Sequence, residues 1–285
     1  MFELRIENPE GESIILTGRE TDYQVIKILG LNPPKGAINT TLLAGVDGAR
    51  FNSSRLETRN IVITVKIHGD TETNRQRLYT YLRTKENCKI YYTSDNRNVW
   101  AEGYIDSFEC NLFSNSEEAQ ISIICPDPYF KDVDEIVSDI SATINNFTFP
   151  FSINLNDPIA FSTFDATRTA NVYNEGSSGG MEISINFEDD VSEIEIRNTV
   201  TNEHLTLDYS FLDGDSVVIN TNSGKKSIML TRNGVVSNIF TALQSGSTFL
   251  QLRTGDNFFS YLADSGTKNE SVYVTFIHST RYRGV

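Results

Sequence analysis

Residues 117–132, EEAQISIICPDPYFKD, contain the pattern that decides the fold. Every second residue of 119–125 is apolar, which is the period of a half-buried β-strand. Pro126 and Pro128 follow, and they end the strand because proline donates no ladder hydrogen bond and fixes its own φ. This part of the chain is therefore predicted to be a core strand that stops abruptly.

Two large aromatic side chains, Tyr129 and Phe130, come directly after the prolines. An ordinary surface loop would be polar here, so we expect both rings to pack at the end of a domain. Residues 131–135, KDVDE, form an acidic bridge that is interpreted as a linker. The sequence therefore predicts two domains, 1–132 and 133–285. The residues expected to pack at this boundary are Cys125, Pro126, Pro128, Tyr129 and Phe130.

The first domain is predicted to be an antiparallel β domain with one helix. Residues 60–67 alternate between an apolar and a polar face, which predicts a strand. The period changes to that of a helix over 70–86, and Asp70 or Thr71 can cap its first turn. Further strands are predicted at 13–17, 23–29, 89–93, 99–105, 107–113 and 119–125, with turns at 94–97, Asp106 and 115–116.

A long loop is predicted between the strands at 23–29 and 60–67. Pro33 and Pro34 open this segment, and residues 35–58 are rich in Gly, Asn, Ser and Thr. Long loops inside compact domains are usually functional, so this one is a candidate for contact with a partner.

The second domain is predicted to consist almost entirely of short strands. Turn sequences recur along it at near-regular intervals, at 175–180, 213–215, 233–234 and 254–257. Short strands at this spacing predict a β-sandwich or jelly roll, so the whole chain is expected to be mainly β. The predicted strands are 147–153, 170–173, 181–187, 194–198, 203–209, 216–220, 226–231, 249–252 and 272–276.

The composition is that of a globular protein with an acidic surface. The net charge of −14 repels phosphate backbones and disfavours sequence-specific nucleic-acid binding. No stretch approaches the roughly 18 apolar residues of a spanning helix, so no membrane insertion is expected. The first residues lack the plan of a signal peptide, which predicts a cytoplasm-like site of synthesis. Cys88, Cys110 and Cys125 are expected to be reduced and buried.

No residue pattern nominates a catalytic centre, a metal site or a cofactor site. His68, His204 and His278 have no partner at ligand spacing. The acidic clusters at 188–190 and 213–215 are the candidates for the carboxylate pair of a glycoside hydrolase or for a calcium site. Each cluster follows or joins strands, so ordinary turn chemistry is the favoured interpretation.

Carbohydrate binding is an open alternative, because jelly-roll sandwiches often present an aromatic platform on one sheet. Core packing explains aromatic residues in strands equally well. The residues that could form such a platform are Tyr173, Tyr209, Phe211, Phe258, Phe259 and Tyr261.

The order of motifs along the chain resembles the distal tail proteins of long-tailed bacteriophages, the Sipho-type phage tail component family. The most specific motif is CPDPYF at 125–130, at the end of an alternating strand. The other matching motifs are RNIVI at 59–63, RL at 77–78, GYI at 103–105, LRTGDN at 252–257, VYVTF at 272–276 and YRG at 282–284.

The resemblance implies a structural protein rather than an enzyme. It implies an N-terminal domain that assembles as a ring, usually a hexamer, and an outward C-terminal domain that is a galectin-like β-sandwich. The ring would join the tail tube to the tip, with the tail tube protein, tail-tip or tape-measure-associated proteins and a receptor-binding protein as partners. Assembly in the host cytoplasm and a final place at the virion tail tip are implied. A carbohydrate- or receptor-binding tail module that contacts the host surface is the alternative.

The segment 35–58 is the part that we expect to reach a neighbouring subunit or the tube protein. Subunits of a ring must pair across their edges, and unpaired edges invite partners. The candidate contact residues are Asn39, Leu42, Leu43, Val46 and Arg50.

Overall fold

The computed structural model describes residues 2–17, 21–111, 117–140, 143–145, 162–164 and 169–285. In this part of the chain the structure is mainly β and contains one α-helix. The chain divides into two compact units, Met1–Val133 with Arg281–Val285, and Asp134–Thr280. Each unit has its own apolar core. The predicted strand at 147–153 and the predicted turn at 115–116 lie outside the fully described residues.

The described residues of the first unit form nine complete strands, one helix and the start of a tenth strand. Its elements are β1 Glu3–Glu7, β2 Ser13–Thr17, β3 Tyr23–Leu29, β4 Gly36–Leu42, β5 Ala49–Leu56, β6 Arg59–Ile67, α1 Thr71–Tyr81, β7 Asn87–Thr93, β8 Asn98–Cys110, β9 Glu118–Cys125 and β10 Phe130–Ile140.

Seven strands of the first unit close into a barrel. Their order is β8-β7-β1-β2-β3-β6-β9, and β9 pairs again with β8. The neighbours are antiparallel except at β2 and β3, where Thr17 and Gln24 form a parallel contact that the sequence did not predict. The inward side of β6, every second residue from Arg59 to Ile67, is buried as the alternation predicted. Closure by β9 and β8 leaves the barrel without a free edge.

The strand that opened the sequence analysis, β9, contributes one wall of this core. Ala119, Ile121, Ile123 and Cys125 each have an exposed fraction of 0%. Gly103 lies opposite on β8, where a Cβ atom would come within 2.9 Å of the Cys125 Sγ atom. The glycine of the GYI motif therefore leaves room for the buried side chains of Ile123 and Cys125.

Two expectations for the first unit are wrong. Residues 35–58 form the strands β4 and β5 rather than a loop. Asp106 is not a turn, because β8 continues through it and the register shifts between Ile105 and Ser107 as a β-bulge. The division between the two units falls within 131–135, where the linker was expected, but these residues have strand structure as part of β10. Lys131 and Asp132 pair with β8.

The helix α1 begins where its cap predicts and ends early. Asp70 is the N-cap, and its side chain accepts a hydrogen bond from the backbone N–H of Thr73. Leu78 is fully buried against the barrel core. The helix was expected to reach residue 86, but it ends at Tyr81, and Lys85 has a φ of 73° that no α-helix accommodates.

Among the described residues, the second unit contains the rest of β10 and the remaining strands. They are β11 Thr143–Asn145, β12 Ser162–Phe164, β13 Thr169–Asn174, β14 Glu182–Phe187, β15 Val191–Asn198, β16 His204–Phe211, β17 Ser216–Asn220, β18 Ser227–Arg232, β19 Val235–Asn238, β20 Gly255–Ala263 and β21 Val272–Tyr282. The last two residues of β21 belong to the first unit. Single 3₁₀ turns occur at Phe240–Ala242, Asp264–Gly266 and Asn269–Ser271.

Two sheets of the second unit form a sandwich. One has the order β19-β18-β17-β14-β21 and the other the order β13-β20-β15-β16. Their inner faces share one core, in which the rings of Phe259 and Phe276 stack with centroids 4.9 Å apart. Face-to-face packing of two antiparallel sheets is the β-sandwich that the turn spacing predicted.

Two assignments in the second unit are corrected. Residues 249–252 are not a strand. Leu250 and Leu252 are buried in the core, and Leu252 makes an isolated bridge with Gly179. Residues 254–257 are not simply a turn, because β20 starts at Gly255 and the buried Asn257 side chain bonds the carbonyl of Arg253. Residues 254–257 were assigned to a turn because Gly, Asp and Asn favour turns, although here they begin a strand.

Candidate assembly interface

The segment between β3 and β6 is a two-stranded ribbon in which β4 pairs antiparallel with β5. In the turn that joins them, Gly45 and Gly48 have φ angles of 78° and 91°, which glycine adopts at no steric cost. Among the described residues these two strands form a sheet of their own, so both long edges of the ribbon are unpaired there. The ribbon thus presents backbone donors and acceptors as well as side chains.

One face of the ribbon is apolar. Ile38, Thr40 and Leu42 share this face because alternate residues of a strand point to the same side. Phe51 lies directly opposite Thr40 and joins them, in a register set by a bulge next to Asn39. The exposed fractions are 67% for Ile38, 81% for Leu42 and 60% for Phe51. Apolar side chains gathered at such exposure mark an interaction site.

All five predicted contact residues lie on this ribbon. Leu42 is on the apolar face, and Leu43 and Val46 are exposed at the tip. Asn39 and Arg50 are on the opposite, polar face, where Asn39 Nδ2 donates to a serine hydroxyl of β5 at 3.1 Å.

Sequence reasoning missed Ile38 and Phe51. The sequence could have indicated Ile38. Ile38 and Leu42 differ by an even number of positions, so they lie on the same face of a strand. Phe51 could not be assigned to a face, because the bulge that sets its register leaves no pattern in the sequence.

A second cluster forms at the predicted domain boundary, around the buried side chain of Arg59. Its guanidinium donates to the carbonyl oxygen of Pro128 at 2.9 Å, of Asn32 at 2.8 Å and of Arg283 at 2.5 Å, and also to that of Gly30. Burial lowers the pKa of Arg59. All of these acceptors are backbone oxygens, and they come from three separate parts of the sequence. Arg59 therefore joins distant segments of the first unit.

The aromatic residues expected at the boundary occupy two environments. Phe130 is fully buried, and the Arg59 guanidinium lies 4.3 Å from its ring centroid. Tyr129 is half-buried, and the Arg281 guanidinium lies 4.2 Å from its ring centroid. Asp127 accepts a hydrogen bond from Arg281 at 2.7 Å. Both rings therefore pack within the first unit, as cation–π partners.

The other boundary residues include Cys125, whose thiol is buried. Burial raises the pKa of Cys125 to about 11 and that of Cys88 to about 12. Both thiols are thus protonated at neutral pH, and neither is paired in a disulfide. Pro126 is exposed, whereas Pro128 is half-buried and supplies its carbonyl to Arg59.

The last five residues of the sequence belong to the first unit, although the sequence analysis placed them in the second domain. The hydroxyl of Tyr282 donates to a carboxylate oxygen of Asp132 at 3.3 Å. The backbone N–H of Val285 donates to the carbonyl of Leu31 at 3.1 Å. These contacts, with the Arg59 bond to Arg283, explain the assignment.

The acidic clusters take part in local contacts. Asp215 is 3% exposed and makes a bidentate ion pair with Arg232, which lowers the pKa of Asp215. Asp189 pairs with Lys268. In the described part of the chain, no group of three or more His, Cys, Asp or Glu side chains could hold a metal ion. No helix among the described residues is long and apolar enough to cross a membrane.

The six aromatic residues considered for a carbohydrate platform do not form one surface. Phe211, Phe259 and Tyr261 are buried in the sandwich core, and Tyr209 packs against it. Tyr173 and Phe258 remain exposed on neighbouring strands. Only Tyr173 and Phe258, of the six candidates, are exposed and could contact a carbohydrate.

Two known families match the chain, one mainly over the barrel unit and one over the sandwich unit. Residues 18–125 match the family described as phage tail protein RIFT-related domain. This match defines the class as phage tail protein. Residues 178–282 match the siphovirus-type tail component, C-terminal domain. The chain therefore belongs to the siphovirus-type tail components, the distal tail protein family that the motifs resembled.

Solved structures share the fold over nearly the whole chain. The Dit protein of phage SPP1, described as a paradigm of hub adsorption apparatus in Gram-positive infecting phages, is 14% identical with a TM-score of 0.70. That alignment covers 98% of this chain and 99% of that one. Chains of the phage P2 baseplate, in its activated conformation with Ca and with Sr, are 10% and 9% identical. Both have TM-scores of 0.53, and each alignment covers 98% of either chain. A comparison with curated proteins found no match.

Proposed function

We propose that this chain is a structural hub of a phage tail tip, which assembles through its first unit as a ring between the tail tube and the tip apparatus. The observation that carries the proposal is the exposed apolar face of the β4–β5 ribbon. The family membership and the shared fold with a protein described as a hub adsorption apparatus support it. A non-enzymatic role is supported by the acidic clusters of the second unit, in which Asp215 and Asp189 are paired with Arg232 and Lys268.

A ring requires two different surfaces on each subunit, because head-to-tail contacts are heterologous. The ribbon supplies one surface. A second apolar patch lies on the outside of the barrel, where Leu29 pairs with Val62 and Tyr104 pairs with Ile124. Leu29 and Tyr104 are 50% and 47% exposed. Val62 is diagonal to Ile124 on the adjoining strand, so the four side chains form one patch.

We infer that the ribbon of one copy packs on the barrel patch of the next and that the ring closes, with six copies as the resemblance implies. Burial of apolar side chains on both sides supplies the free energy, at roughly 25 cal/mol per Å². Tail tube, tape-measure-associated and receptor-binding proteins are the proposed neighbours of the ring. The virion tail tip is its proposed location, after assembly in the host cytoplasm.

The test replaces the apolar face of the ribbon with serine at Ile38, Leu42 and Phe51. Because all three side chains are exposed, the folded chain should keep its melting temperature. Light scattering after size-exclusion chromatography should show a ring for the wild-type chain and a monomer for the triple variant. The matched control replaces Thr41 and Ser53 on the polar face with alanine, and it should still form the ring.

The barrel patch is tested separately by Tyr104→Ser with Ile124→Ser, which should also yield a monomer. Ring assembly can require a tail partner, so each variant is measured alone and with the tail tube protein. A wild-type chain that stays monomeric in both conditions, or a triple variant that assembles normally, would contradict the proposal.

A further inference from the structure

The strand β19 forms an open edge of the second unit. It is the last strand of its sheet, and among the described residues no strand pairs with its outer side. All four residues of Val235–Asn238 are exposed, Val235 at 68% and Val236 at 59%. These two neighbours point to opposite faces of the strand, so neither face is covered.

The register shows which backbone groups of β19 are available. Asn233 and Gly234 have φ angles of 51° and 78°, as in the two-residue turn of a type I′ hairpin, and Arg232 is opposite Val235. The residues that flank such a turn exchange hydrogen bonds, and the pairs then alternate along the ladder. The backbone N–H and C=O groups of Val236 therefore point outward.

The same alternation applies to Asn238, two residues further along. The backbone N–H of Ile239 donates to the carbonyl of Ile228 at 3.0 Å, which is the next inward bond that the alternation requires. Val236 and Asn238 thus present two sets of outward donors and acceptors on an otherwise regular edge.

This edge lacks the features that normally block edge pairing. No residue from Asn233 to Gln251 is charged, although the chain as a whole has a net charge of −14. Natural edge strands usually contain lysine, proline or a bulge, and an edge without them invites strand addition. Along the hairpin, Arg232 precedes the turn and is paired with Asp215. Lys225 and Lys226 precede β18 at the end opposite the turn.

The lysine end of the edge also carries exposed aromatic surface. Lys226 Nζ lies 4.8 Å from the ring centroid of Phe249, and the Phe249 ring stacks on Phe240, which is 44% exposed. A partner that reaches beyond Asn238 would meet two positive charges next to two aromatic rings. Acidic residues at that end of the partner are complementary to this surface.

We propose that β19 binds an extended segment of another protein chain by antiparallel strand addition. The segment has β-branched residues beside Val235 and Val236 and acidic residues at its N-terminal end, next to Lys225 and Lys226. Main-chain hydrogen bonds supply the affinity and the lysines the orientation. The β19 strand of a second copy is a poorer occupant, because its N-terminal end follows Arg232 and carries no acidic residue to meet the lysines.

The probe is an acetylated peptide, Glu-Glu-Val-Thr-Val-Thr-Val, titrated into the full chain and followed by fluorescence anisotropy and by amide exchange. The wild-type chain should bind it and protect the amides of Val236 and Asn238. The same peptide with alternate backbone nitrogens methylated, and a version with Lys-Lys in place of Glu-Glu, should each bind at least tenfold more weakly. Equal binding of the methylated peptide would overturn the proposal, as would an absence of binding to the original one.

Val236→Pro is the decisive substitution in the protein. Its N–H points outward, so proline removes no bond to β18 and the melting temperature should stay unchanged. Peptide binding should weaken at least tenfold. Val200→Ser, at another exposed valine, is the matched control and should bind normally.

The oligomeric state of Val236→Pro separates this inference from the ring. Light scattering should give the same mass as for the wild-type chain, since the ring is assigned to the first unit. Undiminished peptide binding by Val236→Pro would refute strand addition. A wild-type oligomer that this substitution dissociates would instead identify a second copy as the occupant and overturn the proposal.

Discussion

Arg59 is the residue through which distant parts of the first unit are joined. Its guanidinium reaches backbone oxygens near residues 30, 128 and 283, and it lies against the ring of Phe130. Gly30 belongs to this arrangement, since its φ is 89° and a Cβ atom there would lie 2.1 Å from the carbonyl oxygen of Asn60. The sequence shows Arg59 only as the start of a strand, because none of its partners is near it in the chain.

Replacement of Arg59 by methionine should strongly destabilise the first unit. Methionine fills much of the volume but leaves the carbonyl oxygens without their donor, at a cost of about 1–3 kcal/mol for each buried group. We expect a total loss of about 3 kcal/mol or more in the free energy of unfolding, measured with urea. Arg55→Met, on the exposed ribbon, is the control and should change stability little. Equal stability of the two variants would show that Arg59 does not join these segments.

Phe130 and Tyr129 should differ in their contribution to stability. Phe130 is fully buried, so Phe130→Ser should cost about 3–5 kcal/mol, as for other buried aromatic truncations. Tyr129 is half-buried, and Tyr129→Ser should cost clearly less. Thermal unfolding of the two single variants measures the difference. An unchanged melting temperature for Phe130→Ser would contradict the packing described for this boundary.

His278 should make the second unit sensitive to acid. Burial lowers its pKa, so the folded chain keeps the imidazole neutral. The unfolded chain has a histidine pKa of about 6.5 and therefore binds the proton more readily than the folded chain. The free energy of unfolding falls as pH drops below about 6.5, and above that pH this loss is absent. Urea unfolding between about pH 7 and pH 5 should show a smaller loss of stability for His278→Gln than for the wild-type chain. Parallel curves would contradict this assignment.

At the scale of elements, the barrel and sandwich strands could be predicted where one face is buried. β6 and β9 have clean alternation because every second side chain enters a core. The ribbon β4–β5 has no covered face in the described structure, so its sequence lacks that alternation and was interpreted as a loop. β19 was missed for the same reason, since all of its residues are exposed. Elements without a buried face therefore leave the weakest pattern in the sequence.

The helix α1 offers a prediction about its start. Asp70 accepts a hydrogen bond from the Thr73 hydroxyl at 2.7 Å as well as from the Thr73 backbone. Asp70→Ala should lower the free energy of unfolding because it removes the N-cap acceptor, while Asp70→Asn retains the capping oxygen and should lower it much less. Urea denaturation of both variants measures this. Equal costs would mean that the cap bond contributes nothing.

At the scale of the whole molecule, the chain divides into a barrel unit and a sandwich unit. The fold of the sandwich could be predicted from the sequence, but the residue at which it ends could not. The turn spacing indicated the sandwich because it repeats locally. The return of residues 281–285 to the first unit depends on contacts across most of the chain, such as those with Leu31 and Asp132, and no local pattern predicts them. The candidate contact residues could be assigned to the segment that forms the ribbon, but their division between its two faces required the strand register.

The contacts of residues 281–285 with the first unit predict how that unit behaves when it is excised. Residues 1–133 alone lack the Arg283 carbonyl, the Tyr282 hydroxyl and the hydrogen bond from Val285. A fusion in which a short Gly-Ser linker joins residue 133 to residues 281–285 restores them. The excised unit should therefore unfold at a lower temperature than the fusion. The fusion should also form the same number of subunits as the full chain, because the ribbon and the barrel patch both belong to this unit. Calorimetry and light scattering measure the two properties. Equal melting temperatures would show that the last five residues do not stabilise the unit, and a monomeric fusion beside an oligomeric full chain would place part of the assembly interface in the sandwich.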